Sequence, residues 1–157
     1  MIKKGEFTEF LKFGWGLAGV GLDQKTEVAQ KTLGEPISIV GEERYGFYEY
    51  DQGLRIGYMN GEIDEVGIVF FGKKNIVFDL DLNNVDAINT VTEKTTIHEF
   101  IKFLNVVGIK WRSYDEANLN VFCIITKGNA FVLFDLETGC ITRAMVVRAN
   151  IRFSDAR

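Results

Sequence analysis

The chain has 157 residues, 46% of them hydrophobic and 25% charged, enough to bury a sizeable core and too apolar for general disorder. Its formal net charge is −4, the wrong sign for a protein that gathers phosphates, so nucleic acid is not an expected partner. Thirteen Phe, five Tyr and two Trp are a heavy aromatic load of the kind that suits β-sheet faces.

Phe7, Phe10, Leu11 and Phe13 fall near helical spacing and predict a short helix over 6–13. Gly14, Gly16, Gly19 and Gly21 then crowd into eight residues, which predicts an irregular, packed connection. Residues 10–22 are apolar but too short to span a bilayer, and no cleavage site clearly follows, so neither a membrane nor export is expected. A second helix starts at a cap from Asp23 or Thr26, carries Val28, Ala29, Thr32 and Leu33 on its inner side, and stops at Gly34. Glu35-Pro36 forces an extended exit.

Four β-like runs follow at 37–40, 45–50, 54–59 and 62–71. Asn60-Gly61 between the last two is the strongest short hairpin signal, and Asp51-Gln52-Gly53 separates the middle pair, so the segment reads as an antiparallel meander. Residues 76–82 are expected to add a strand or an edge, and a polar, Thr-rich connector runs on to Thr95. From Thr95 or Thr96 a third helix presents Ile97, Phe100, Ile101 and Leu104, with Gly108 past its end. Strand-like runs return at 109–111, 118–126, 130–136 and 140–148, separated by turns at 127–129 and 137–139.

The closing hairpins match at an offset of 78: Ile56, Tyr58, Gly61, Ile63, Val66 and Ile68 fall on Phe134, Leu136, Gly139, Ile141, Ala144 and Val146. Alternation alone makes any two hairpins look alike, and the helix starts differ by about 70 instead. The expectation is a single α+β domain over 1–157 with an internal repeat of 23–71 and 95–148. It is two similar halves, each a helix plus an antiparallel meander, forming one sheet with helices packed on one face.

The sequence assembles no catalytic or metal-binding set, so the chain is read as non-enzymatic, without metal or cofactor. His98 is the only histidine. Cys123 and Cys140 lie in apolar runs with no second ligand nearby, which suits reduced thiols in the cytoplasm better than zinc or a disulfide framework. Asp79-Leu80-Asp81 opens like a calcium loop but lacks the turn glycine and the distal glutamate. The acids Glu42-Glu43, Glu62, Asp64, Glu65 and Asp115-Glu116 fall in turns or on strand edges, where solvated charge is the ordinary outcome. The glycines at 14–21 match neither phosphate-binding fingerprint. What remains is a surface: Tyr45, Tyr48, Glu49, Tyr50 and Asp51 interleave rings with acids, and Tyr58, Trp111 and Tyr114 extend the same partner-binding set. The alternative is that half of these rings complete the core.

Leu33-Gly34-Glu35-Pro36, Tyr45-Gly46, Leu54-Arg55-Ile56 and Ile63, Val66, Ile68 and Phe70 follow a helix-end, strand, strand, strand order. That order resembles small bacterial toxin-immunity proteins of the contact-dependent inhibition and polymorphic-toxin type. The resemblance covers under a third of the chain, and its motifs are structural, so no functional residue carries over. It implies a cytoplasmic protein that neutralises a cognate toxin, often one with a basic surface, by protein–protein contact. A pocket protein for a small or lipid-like ligand is the alternative.

Overall fold

The computed structural model describes residues 2–84, 86–115, 120–148 and 153. Helix α1 (Glu6–Phe13) buries Phe7, Phe10 and Leu11, the stripe that i, i+3, i+4 spacing produces. It ends at Gly14, whose φ is 64° and where a Cβ would stand 1.6 Å from the Gly128 carbonyl oxygen. No side chain fits at that crossing. The glycine-rich stretch beyond is more regular than its composition suggests. Strands β1 (Gly16–Leu17) and β2 (Val20–Gly21) pair antiparallel and turn Leu17 and Val20 into the core.

Helix α2 (Thr26–Leu33) ends at Gly34 as its sequence predicts, but its inner side is thin. Ala29 is buried and Leu33 half-buried, whereas Val28 and Thr32 face outward. Neither Asp23 nor Thr26 caps it; Lys25 holds the N-cap position without a side-chain hydrogen bond. Backbone pairing fixes its start instead: Asp23 N donates to Ile63 O (2.9 Å), Ile63 N to Gln24 O (2.8 Å) and Thr26 N to Gly61 O (3.0 Å). An anchored entry removes the need for a wide apolar stripe.

Helix α3 (Ile97–Val107) is the opposite case. Thr96 and Glu99 form a reciprocal capping box, Gly108 ends the helix at φ 74°, and Phe100, Phe103 and Leu104 are buried. Phe103 joins the expected face while Ile97 and Ile101 lie at its margins. Strand β7 (Val77–Asp79) falls within 76–82, but its partner β8 (Thr90–Thr92) lies inside the Thr-rich connector, where only Val91 is an apolar anchor.

The remaining strands are β3 (Ser38–Gly41), β4 (Tyr45–Glu49), β5 (Leu54–Met59), β6 (Glu62–Val69), β9 (Trp111–Ser113), β10 (Val121–Thr126), β11 (Phe131–Asp135) and β12 (Ile141–Val147). They form one eight-stranded sheet in the order β3-β4-β5-β6-β12-β11-β10-β9, antiparallel throughout. Asn60 and Gly61 make the β5–β6 turn with φ of 52° and 79°. The start of the 118–126 run, at 118–119, lies outside the described residues.

Strands β6 and β12 meet at the middle of the sheet, with Gly67 opposite Met145 and Val66 opposite Val146. A Cβ on Gly67 would come within 2.4 Å of the Ala144 carbonyl oxygen, so this joint requires a bare backbone on one side. The registers also correct the hairpin match. Ile63 faces Tyr58 and Ile141 faces Phe134, so the 78-residue offset holds for β6 and β12 but becomes 76 for the strands before them. Tyr58 therefore corresponds to Phe134 rather than Leu136, and Ile56 to Val132.

One face of this sheet, with the helices and both small ladders, encloses the main core. Phe7 is its hub, stacked on Phe78 at 5.5 Å and edge-on to Phe70 at 6.4 Å and Phe100 at 6.5 Å. Phe100 carries the contact onward to Phe103 at 5.7 Å and Phe134 at 5.6 Å. Phe100 is fully buried, so Phe100→Ala is expected to cost about 3–5 kcal/mol in a urea melt. Thr96→Ala, which removes only the cap, is expected to cost about 1 kcal/mol in the same melt.

Candidate functional site

Alternation along each strand sends successive side chains to opposite faces. On the helix-covered face lie Tyr48 and Tyr50 of the β4 run, Leu54, Ile56 and Tyr58 of β5, and Val66 and Ile68 of β6. The other face carries Tyr45, Phe47 and Glu49, then Arg55, then Glu65 and Val69, then Arg143 and Met145. Helices α1, α2 and α3 pack on the first face.

The interleaved set read from the sequence is divided between the two faces. Tyr48, Tyr50 and Tyr58 belong to the core at 8%, 6% and 5% exposure. Tyr48 and Tyr58 stack at 4.6 Å, and the Tyr58 hydroxyl donates to Glu42 O at 2.6 Å. Burial and mutual proximity push the Tyr48 phenol above its ordinary range. Burial does the same to Tyr50, whose hydroxyl donates to Gly34 O. Trp111 lies at the far edge of the sheet, packed against the core, with its indole N–H on Asn105 Oδ1 at 2.9 Å. Tyr45 and Glu49 do share the open face, Glu49 accepting from the Ser38 hydroxyl at 2.8 Å. Asp51 is exposed in the short 3-10 turn after β4. Tyr114 stands over Phe131 at 5.3 Å, in the other half of the open face.

That other half is apolar. Cys123, Ile125 and Phe131 are buried there, with Tyr114, Leu133, Met145, Val147 and Phe153 packed around them. Phe153 is tied down by its N–H on Asn129 Oδ1 at 2.6 Å and by its carbonyl, which accepts from Arg112 Nε at 3.2 Å.

The centre of the open face holds a group that residue-by-residue reading missed. Arg55 lays its guanidinium on the Phe47 ring, 3.5 Å from the ring centre. On the next strand but one, Arg143 is paired through Nη2 with Glu65 Oε1. Strand order brings them together: Arg55 sits opposite Gly67, Gly67 opposite Met145, and Arg143 opposite Val69. Beside them a cleft of about 440 Å³ is lined by Arg55, Val69, Phe71, Val121, Asp135 and Arg143, among others. Phe71 at its rim is 73% exposed.

Arg55 Nε is buried and has no hydrogen-bond partner. Burial is the first cause lowering the Arg55 pKa, and the neighbouring Arg143 charge is the second; Glu65 and Glu49 oppose both. A buried donor left without an acceptor costs about 1–3 kcal/mol. The sequence did carry one signal: Arg55 occupies an out-facing position between the in-facing Leu54 and Ile56. It could not say that strands so far apart in the chain are near neighbours in the sheet.

His98 is exposed on the first turn of α3. Among the described residues, no group of three His, Cys, Asp or Glu side chains is placed to hold a metal ion. No helix there is long and apolar enough to cross a membrane. No family model, curated protein or solved structure matches the chain significantly.

Two titrations are expected from this environment. Burial pushes the Cys123 thiol up to about 11, whereas Cys140 is only half-buried. The folded protein is expected to show one fast-reacting thiol towards a disulfide reagent at pH 8, and a second only in denaturant. Burial also raises the Asp64 carboxyl above its ordinary range, with Arg148 partly opposing. A carboxyl with a raised folded pKa favours the fold while protonated. That contribution is complete below about pH 4 and fades as pH climbs through the folded value. Asp64→Asn is therefore expected to match the parent's melting temperature at pH 3 and exceed it at pH 7.

Proposed function

We propose that this chain is a non-catalytic cytoplasmic binding protein that neutralises a bacterial toxin by direct contact, with the open face of its sheet as the docking surface. The observation that carries this reading is the face itself. Eight antiparallel strands are covered on one side by the core, while the other offers rings and charges side by side: Tyr45, Phe47, Glu49, Arg55, Glu65 and Arg143. Antiparallel sheets tolerate one solvated face, and aromatic and arginine side chains are the usual anchors of protein contacts. The resemblance of its segment order to small immunity proteins points the same way, as does the acidic balance of the chain towards a basic partner domain.

The finer architecture belongs to the same proposal: the two halves of the sheet are copies of one ancestral unit. Matching hydrogen bonds support it. Thr26 N to Gly61 O has its counterpart in Ile97 N to Gly139 O, and Ile63 N to Gln24 O in Ile141 N to Thr95 O. A register shift falls between Gly57 and Tyr58 in β5, and between Leu133 and Phe134 in β11. With these registers, core-face positions stay apolar in both halves: Tyr48 and Ile124, Ile56 and Val132, Tyr58 and Phe134. Open-face positions differ at two of three: Glu49 and Arg55 correspond to Ile125 and Phe131, while Phe47 meets the equally apolar Cys123. Both halves need the same core; only one carries the polar chemistry that a partner would read.

The alternative, a pocket for a small ligand, rests on the 440 Å³ cleft beside Arg55 and Arg143 rather than on the aromatic interior, which its own rings fill. Co-expression with the product of the neighbouring reading frame, followed by purification of the complex, separates the two readings. Charge reversal by Glu49→Lys with Asp51→Lys is expected to weaken that complex at least tenfold by titration calorimetry and to shift the melting temperature by under 3 °C. Failure to isolate any complex would remove the immunity reading.

A further inference from the structure

We propose that the Arg55–Arg143 cleft is the specificity site of the open face, and that it receives the carboxylate of an Asp or Glu side chain on the protein partner, with an apolar neighbour of that residue packing on Phe71. The inference rests on the binding-protein reading above and adds the chemistry that the face would recognise.

The argument is one of unmatched donors. Each carboxylate near the cleft already has a donor of its own. Glu65 accepts from Arg143, and Glu49 from the Ser38 hydroxyl. Asp135 accepts from the Glu137 N–H at 3.0 Å and the Thr138 hydroxyl at 3.2 Å. Arg55 differs: its buried Nε has no hydrogen-bond partner and its guanidinium lies flat on the Phe47 ring, while the charges of Glu65 and Glu49 only partly offset its burial and the charge of Arg143. Stacking holds the guanidinium plane still, and because Nε is buried the terminal Nη groups are what an acceptor lying in that plane would meet, a geometry that suits bidentate carboxylate recognition. Arg143 is tied to Glu65 and so does not compete with Arg55 for the same acceptor.

The surroundings favour a side chain over a free ion. The cleft, at about 440 Å³, has room for a whole side chain and its neighbour, and its walls include Val69, Val121 and the exposed Phe71 ring. A small hydrated anion would leave that apolar wall wet, whereas an acidic residue beside a Leu or Val on a partner's surface uses both parts.

The test follows the Arg55 Nε–H resonance by NMR in the full-length, nitrogen-15-labelled protein. The probe is acetyl-Leu-Glu-amide, with acetyl-Leu-Gln-amide and glutarate as comparators. Saturable movement of the Arg55 signal with the Glu peptide, at least tenfold weaker with the Gln peptide, is the expected result. Arg55→Lys, which keeps the charge and loses the planar fork, is followed through the Val69 and Phe71 backbone amide signals and is expected to weaken the Glu peptide at least fivefold while leaving the melting temperature within 3 °C. Phe71→Ser, at an exposed rim position, is expected to weaken the Glu peptide and leave glutarate unchanged. No saturable shift, equal response to the Gln peptide, or full affinity in Arg55→Lys would each overturn the site. Glutarate binding as tightly as the Glu peptide would overturn the protein side chain as occupant and assign the cleft to a free small acid. A complex with the neighbouring gene product that survives Arg55→Lys unchanged would sink this site while leaving the binding-protein reading intact.

Discussion

The pairing of β6 with β12 is the joint on which the molecule depends. It is the one ladder that links the β3–β6 strands to the β9–β12 strands, and it closes only because Gly67 lacks the Cβ that would strike the Ala144 carbonyl. Five residue pairs set its register, from Arg143 opposite Val69 to Val147 opposite Glu65. Slipping it by one residue would set the faces of β6 and β12 in opposition, so that Val66 and Ile68 would no longer share a face with Ala144 and Val146. The same register places Arg143 beside Arg55 and Glu65. Architecture and the proposed site therefore share one constraint.

Around that joint, aromatic packing on one face leaves the other free. The ring chain from Phe78 through Phe7 and Phe100 to Phe134 connects both halves from the helix side, so no helix is needed across the second face. The two halves of that second face have then taken different courses. In one, Phe131, Ile125 and Cys123 are sheltered by Tyr114 and Phe153; in the other, Phe47 supports a charged arginine over a cleft. A binding surface built on a sheet gains from this arrangement, because strands hold side chains more firmly than loops do.

The surface expected from the sequence and the site proposed from the fold overlap only in part, and the reason is periodicity. Tyr45, Tyr48, Glu49, Tyr50 and Asp51 are neighbours in sequence, but a strand sends Tyr48 and Tyr50 one way and Tyr45 and Glu49 the other. Tyrosine hydroxyls also concealed burial: Tyr58 and Tyr50 each donate to a backbone carbonyl, which lets a polar ring sit in the core. Arg55 and Arg143 lie on strands far apart in the chain, and nothing local to either says that those strands are near neighbours in the sheet.

Elements whose information is local were legible. The 6–13 helix, the Asn60-Gly61 hairpin and the start of α3 at Thr96 follow from spacing, turn chemistry and a capping pair within a few residues of each other. So did the mixed α+β class and the antiparallel runs. Strand β8 was not legible, because Val91 is its single apolar anchor and its partner lies in a different stretch of chain. The thin inner side of α2 was not either, because backbone bonds to Gly61 and Ile63 orient it in place of a stripe. Tertiary structure alone decided which strands meet at the centre, which tyrosines are buried, and that two arginines far apart in the chain flank one cleft. Side-chain spacing encodes which way a residue faces; only the closed sheet determines what it faces.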